Sequence, residues 1–374
     1  MKRRCDMTKS TFSKLSSVLI SVSVFTAFMT ACQSGKIDET KDSIENKNYK
    51  EFIEKADEYL NKCGFQGSIL LAKDGEIVLA KGYGFSDKEK TIPNTMNTTY
   101  EIGSITKQFT AAAILQLQEQ GKLSVNDTLD KYFKDFENGK KITIQNLLRM
   151  RSGLYDYIND PSKFFPKEAA DEYLEKSEKN EDVERDFVEK YLNSAPLKEE
   201  PGTNFYYCNT NYYLLGKIVE QLSGMTYEDY IKEKIFVPCD MTKSNTDFRA
   251  TDAKGYDVTG KSLSITPNIA MGCGDINSNV IDVFKWNKAL TSNKVISEKS
   301  FTEMTTGDPT YCYGVIADEN SIIHGGSTYV FNSYNVVYLQ KNVMLTVLIN
   351  KPIEKSSSGS ITGNIYRLFN GEEI

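Results

Sequence analysis

Glu101-Ile-Gly-Ser-Ile-Thr-Lys-Gln-Phe-Thr110 is the stretch on which the rest of the chain is read. It contains Ser104-Ile105-Thr106-Lys107, and no other serine in the sequence has a lysine three positions later. Gln108 to Gln120 are good helix formers, with apolar residues at Phe109, Ala112, Ala113 and Leu117, and Gly121 supplies a stop. The spacing predicts that Ser104 opens a helix and that Lys107 stands on its first turn. Residues three apart share a helical face, with Cβ atoms roughly 5–6 Å apart, so an ammonium there reaches the hydroxyl. The positive helix end lies beside the same serine. A serine hydroxyl is a weak nucleophile until a base takes its proton, and this pair offers both partners. The plainer reading is a helix-capping serine followed by a solvated lysine. Partners further along the chain decide between the two.

The chain has 374 residues, is 40% hydrophobic and carries a net charge of −6. That length holds one large domain or two intertwined ones with ample core. Charges of both signs are mixed along most of it, so no basic face for nucleic acid emerges. Of the seven cysteines, Cys63, Cys208, Cys239, Cys273 and Cys312 follow the N-terminal segment. They form no Cys-x-x-Cys pair, and the one histidine, His324, has no cysteine nearby, which argues against a zinc site. The default for them is small buried thiols, with room for one disulfide that cannot be assigned.

The N-terminal segment is a separate object. Lys2, Arg3, Arg4, Lys9 and Lys14 are basic, Leu15 to Met29 carries no charge, and small residues lead to Cys32. This order describes a secretory signal, and the apolar run is short for a membrane span of about 20 residues. Thr30-Ala31-Cys32 resembles a bacterial lipoprotein signal, which implies that residues 1–31 are removed and Cys32 is lipidated. Met29 is less usual at its position, so ordinary cleavage or retention as an anchor stays open. Residues 32–50 are rich in Lys, Glu, Asp, Asn and Ser and read as a flexible tether.

Phe52, Ile53, Ala56, Tyr59 and Leu60 form a helical stripe. Two apolar runs separated by Asp74-Gly75 form a hairpin signal. Residues from 106 to about 222 read as helices and loops, and strand signals return after about residue 262. Tyr329–Tyr338 and Val343–Asn350 are strand-like, and Ile361, Ile365, Leu368 and Phe369 form a last amphipathic helix. The expected fold class is therefore α+β. An antiparallel sheet is built from both chain ends, about 51–100 and 262–372, flanked by helices, with an inserted mainly helical region of about 101–261. A cleft between the two is the natural ligand site.

Three stretches complete the constellation: Pro201-Gly-Thr-Asn-Phe-Tyr-Tyr-Cys-Asn209, which runs into a helix closed by Gly224; His324-Gly325-Gly326-Ser327, ahead of a strand; and Leu147-Leu-Arg-Met-Arg-Ser-Gly-Leu154. Ser-x-x-Lys, then Tyr-x-Asn, then His-Gly-Gly resembles the serine β-lactamase and penicillin-binding protein superfamily, on its class C β-lactamase-like branch. That branch also holds D-alanyl-D-alanine carboxypeptidases, D-aminopeptidases and carboxylesterases. The likeness spans most of the chain after the tether, so residues 51–372 form the expected hydrolase domain. It implies an acyl-enzyme on Ser104, with Lys107 as the neighbouring amine and Tyr207 holding its hydroxyl against Ser104. Asn209 is then expected on Lys107 and the substrate amide. His324 is expected on the strand flanking the cleft, meeting a substrate carboxylate when protonated or serving only as a donor, with Gly325 and Gly326 in support. The backbone N–H groups of Ser104 and Ser327 are expected to form the oxyanion hole. The implied substrates are D-amino-acid peptides of the cell-wall type or β-lactams, with an ester, or a binding protein that barely turns over, as the other readings. Neither metal nor organic cofactor is implied. The expected partners are a small-molecule or peptidoglycan-peptide substrate and a membrane met through the lipid anchor.

Two strings imitate functional ones. Tyr157-Ile158-Asn159 copies Tyr-x-Asn without the Pro-Gly entry or the following helix. Glu189-Lys-Tyr-Leu-Asn193 copies the class A Glu-x-x-Leu-Asn string but precedes Tyr207, so it is read as a helical face. Relatives also often carry His-Thr-Ser-Gly at Met150-Arg151-Ser152-Gly153 and Gly-Gly-Leu near Gly272-Cys-Gly-Asp275. Both departures are expected at the pocket edge.

Overall fold

The computed structural model describes residues 37–179, 181, 183–247, 250–263, 269–354 and 356–374. The expected signal segment 1–31 and Cys32 lie outside the described residues.

Seven strands form one sheet: β1 (Ile44–Glu45), β2 (Gly67–Lys73), β3 (Glu76–Tyr83), β4 (Ile316–Ala317), β5 (Ser321–Ser327), β6 (Asn332–Tyr338) and β7 (Val343–Ile349). Their order is β1-β3-β2-β7-β6-β5-β4, and every neighbouring pair is antiparallel. The sheet is thus made from the two chain ends, as the sequence implies. Asp74 and Gly75 both take positive φ, 53° and 80°, between the paired residues Lys73 and Glu76. A two-residue type I′ hairpin turn demands that conformation.

Both faces of the sheet are covered. Alternate residues of a strand point to opposite faces. Ile69 and Leu71 of β2 therefore join one core with helix α1 (Lys50–Lys62) and the C-terminal helix, while Leu70 and Ala72 join the other. That double burial explains why β7 reads as an almost unbroken apolar run.

The second core surrounds α2 (Thr106–Glu119), on which Thr106 through Leu115 are all buried. A helix enclosed on all sides must satisfy its polar groups internally. Gln108 does so only at its oxygen, which accepts from Trp286 Nε1 at 2.9 Å while its Nε2 has no partner among the described residues, and Phe109 stacks on the Trp286 ring with centroids 4.1 Å apart. Such a ring pair contributes roughly 0.5–1.5 kcal/mol beyond its burial. Between α2 and the late strands lie α3 (Lys167–Glu178), α4 (Asn209–Ser223) and α5 (Val280–Thr291). The last helix, α6, spans Ser358–Phe369.

Two boundaries differ from expectation. Strand signals return after residue 262, yet α5 and a helix at Glu298–Thr305 come first, and the main sheet resumes only at Ile316. Val280, Ile281, Val283 and Phe284 look strand-like, but Asn279 caps α5 by accepting from Asp282 N at 2.8 Å. Nearly every α5 residue is buried, so no polar face marks the helical period. The expected tether, residues 32–50, is also shorter than its composition implies. Ile44 and Glu45 pair with Ala80 and Leu79, and Glu39 meets Lys285 at 2.5 Å. An edge strand needs only backbone pairing, which a polar composition does not forbid. The five described cysteines are all free thiols, four of them buried.

Candidate active site

Ser104 sits in a 3₁₀ turn, Gly103–Ile105, that feeds α2 at Thr106. It therefore precedes the helix rather than opening it, while Lys107 stands on the first α-turn as expected. Gly103 has φ +51°, and a Cβ there would lie 3.0 Å from Ser327 N. Only glycine lets the nucleophile turn and the end of β5 come this close. From the other side, a Cβ on Gly326 would lie 2.0 Å from Ile102 O. Ser104 and Ser327 thus belong to two backbones in contact.

Ser104 Oγ does not cap the helix; it accepts from Lys107 Nζ at 3.0 Å. Lys107 is fully buried, and its Nζ also donates to Asn209 Oδ1 at 2.9 Å and to Cys273 O at 2.6 Å. An ammonium has three protons, and here it faces three acceptors, none of them a carboxylate. The rings of Tyr207 and Tyr212 lie with centroids 4.9 and 5.8 Å from the same nitrogen.

Asn209 is aimed by a residue that sequence reading missed. Asp156 Oδ2 accepts from Asn209 N at 3.0 Å and from Asn209 Nδ2 at 2.8 Å. With Nδ2 committed to Asp156, Oδ1 must face the amine. The same carboxylate accepts from Asn159 Nδ2 at 2.7 Å. Tyr157, of the imitating string, is buried and donates to Ile269 O, so it is core, while its neighbours Asp156 and Asn159 brace the true Asn209. Glu189 accepts from Tyr213 and Lys217, which confirms it as part of a helical surface.

Tyr207 joins the site through its ring. That ring lies against the Lys107 amine and meets the Tyr311 ring edge-on, with centroids 6.0 Å apart. Among the described residues no hydrogen bond joins its hydroxyl to Ser104 Oγ, the contact expected from sequence. Both residues line the same cavity.

His324 departs further from expectation. Its Nδ1 lies 2.5 Å from Gly325 O, which can only accept, and its Nε2 lies 2.8 Å from Tyr311 Oη. Nδ1 therefore carries the proton, and in the neutral ring Nε2 accepts from Tyr311. Burial, helped by the neighbouring Lys107 charge, pushes the imidazole down to about 3. It is neutral at physiological pH, and neither nitrogen is left to meet a substrate carboxylate. Tyr311 was missed because nothing in its local sequence distinguishes it from the other tyrosines.

The two departures near the pocket edge also separate. Cys273 and Gly274 line the cavity, and the Cys273 carbonyl holds Lys107. Asp275 braces this loop by accepting from Gly272 N at 3.0 Å, and full burial raises its carboxyl to about 7. Met150–Gly153 instead lies beneath the Cys208-Asn209 turn, where Ser152 Oγ donates to Asn211 Oδ1 at 2.5 Å.

The cavity itself is about 980 Å³, at the upper end for small-molecule sites. It runs from Ser104 along β5 to the start of α6 on one side and to Tyr173 and Leu174 of α3 on the other.

A family model described as Beta-lactamase matches residues 52–364. The chain belongs to the beta-lactamase family. Membership makes this beta-lactamase-family protein a serine hydrolase, with the fold of that family. It is 31% identical over 335 residues to the putative penicillin-binding protein PbpX of Bacillus subtilis strain 168, covering 85% of this chain and 79% of that protein. It is 30% identical over 312 residues to protein flp of Staphylococcus aureus strain MRSA252, covering 76% of this chain but 59% of flp. Among solved structures, the octameric penicillin-binding protein homologue from Pyrococcus abyssi superposes with a TM-score of 0.73 at 28% identity, covering 87% of this chain and 78% of that one.

Proposed function

We propose that this protein is an exported serine hydrolase that forms an acyl-enzyme on Ser104, acting on D-amino-acid peptides of the cell-wall type or on β-lactams that mimic them. Export and a lipid anchor at Cys32 are part of the proposal and rest on the N-terminal pattern alone. The observation that carries the catalytic reading is the surroundings of Lys107. Asn209 Oδ1 and Cys273 O can only accept from it, so a neutral amine spends its two N–H bonds there. Its lone pair then falls on Ser104 Oγ, 3.0 Å away.

Lys107 takes the Ser104 proton as Oγ attacks the substrate carbonyl. The developing oxyanion is met by the Ser104 and Ser327 amides, each such donor being worth about 10²–10³ in rate. The proton passes to the leaving group by way of Tyr207, whose ring borders the amine. Water then releases the acyl group. Asn209, held by Asp156, keeps the amine aimed and faces the substrate amide.

The test is a panel read by intact mass and turnover: labelled penicillin and a p-nitrophenyl ester, each with wild type and Ser104→Ala. A persistent penicillin adduct on Ser104 identifies a slow peptidase or a binding protein, and rapid return to free enzyme a β-lactamase. Ester cleavage without an adduct identifies a carboxylesterase of the same fold. Activity that survives Ser104→Ala ends the mechanism.

A further inference from the structure

Resting on the acyl-enzyme reading above, we infer that the Thr328 hydroxyl is the donor that recognises the substrate carboxylate beside the bond that Ser104 breaks. A neutral hydroxyl takes the part that the sequence suggests for a protonated His324.

A D-amino-acid peptide that ends at the departing residue carries a carboxylate next to the bond that breaks, and so does a penicillin. Among the described residues that line the cavity there is no lysine or arginine. His324 is neutral, with one nitrogen on Gly325 O and the other on Tyr311 Oη. The charge must therefore be met by neutral donors, whose hydrogen bonds strengthen when the acceptor is ionised.

Thr328 lines the cavity, and its Oγ1 is buried with no partner among the described residues. Its backbone is engaged on both sides: the N–H donates to Phe331 O at 3.0 Å, and the carbonyl accepts from Ser327 Oγ at 3.3 Å. The turn is thereby fixed while the hydroxyl is left over. A buried hydroxyl without an acceptor is a cost to the folded chain, and a ligand oxygen removes it. A change of χ1 rotamer presents Oγ1 to the cavity.

Its place suits the task. Alternate residues of a strand share a face. On β5 the face of His324 and Gly326 is turned to the nucleophile, since a Cβ on Gly326 would meet Ile102 O. Thr328 continues that face just past the strand. It also follows Ser327, whose amide meets the oxyanion in the proposed mechanism. Consecutive Cα atoms are about 3.8 Å apart, so a donor one residue past that amide matches a carboxylate one residue past the reacting carbonyl. The remaining donors sit elsewhere. Asn332 pairs with Ser327 and Tyr334 with Gly325, on the opposite face, where the Tyr334 ring packs on Gly359. The Ser333 and Ser358 hydroxyls donate to Ile102 O and Ser333 O. Tyr329 is 67% exposed at the rim.

The experiment follows acylation of Ser104 in the full chain by benzylpenicillin, which carries the carboxylate, and by p-nitrophenyl acetate, which has none. Thr328→Val keeps the shape and removes the hydroxyl. It should slow acylation by benzylpenicillin about tenfold or more, the scale of a hydrogen bond to a charged group, and leave the ester rate within about twofold. Thr328→Ser should restore the penicillin rate. In thermal unfolding Thr328→Val should be at least as stable as wild type, because it removes an unpartnered buried hydroxyl. Equal slowing of both reagents, slowing of neither, or a destabilised Thr328→Val overturns the inference and leaves the acyl-enzyme reading standing. A tenfold loss in Asn332→Ala with none in Thr328→Val moves the carboxylate to the opposite face and overturns it as well. Wild type acylated by the ester alone overturns the inference; acylated by neither reagent, it removes the acyl-enzyme reading too.

Discussion

Among the described residues two lysines are buried, Lys107 on α2 and Lys285 on α5, on helices joined by the Phe109–Trp286 stack. Their surroundings differ in kind. Lys285 Nζ lies 2.5 Å from Glu39, 3.1 Å from Asp240 and 3.6 Å from Asp282, all carboxylates. Burial pulls its proton affinity down, but Glu39, Asp282 and Asp240 together carry it above the usual lysine range. Lys107 meets a hydroxyl, an amide oxygen and a backbone carbonyl. Carboxylates lock a lysine as a cation; neutral dipoles satisfy either protonation state. The first arrangement fastens the chain, and the second is the one the proposed mechanism uses.

The comparison is broken most easily by removing each amine. Lys107→Met should slow acylation of Ser104 by about 10²–10⁴-fold, measured as the rate of adduct formation. Should adducts form at near wild-type rate, Lys107 is only a prop. Lys285→Met strands Asp282 without its cation and should cost about 3 kcal/mol in denaturant unfolding, with acylation within about twofold of wild type. A comparable loss of acylation there would erase the distinction.

Asp275 sharpens the contrast from the loop that holds Lys107. Its folded value of about 7 lies above the ordinary aspartate value of 3.8. The folded state therefore holds the proton more tightly, and that stabilisation is complete below the unfolded value and lost as pH rises through the folded one. Between about pH 4 and pH 7 wild type should lose roughly 3–4 kcal/mol relative to Asp275→Asn, at 1.36 kcal/mol per unit. Parallel stability curves for the two proteins would show that Asp275 is ionised throughout. The smallest effect is expected from Tyr311→Phe, which removes the hydroxyl that meets His324. A hydrogen bond of about 1 kcal/mol lost one step from Tyr207 should lower kcat about fivefold and leave KM nearly unchanged. A rise in KM instead would place Tyr311 on the substrate.

Short-range chemistry was legible in the sequence. Ser104 and Lys107 are three residues apart, and Asp74-Gly75 carries its own turn; neither needs a distant partner to be recognised. Gly224 closes α4 in the left-handed conformation for the same reason. What escaped depends on contacts between remote segments. Asp156 is an ordinary aspartate until α4 delivers Asn209 to it. His324 looks like a cation for the substrate until Tyr311 occupies its second nitrogen. The helix at Val280 was hidden because burial on every side erased its period, and β1 because edge pairing uses the backbone alone.

The contact between Gly103 and Gly326 works like a butt joint in masonry: two faces meet with no filler between them. The width of the reacting centre is therefore a property of the main chain. Exchanges at Leu174 or Tyr329, far along the walls, would retune what enters without shifting where the bond is broken. Selectivity and bond cleavage are, in this architecture, separately adjustable.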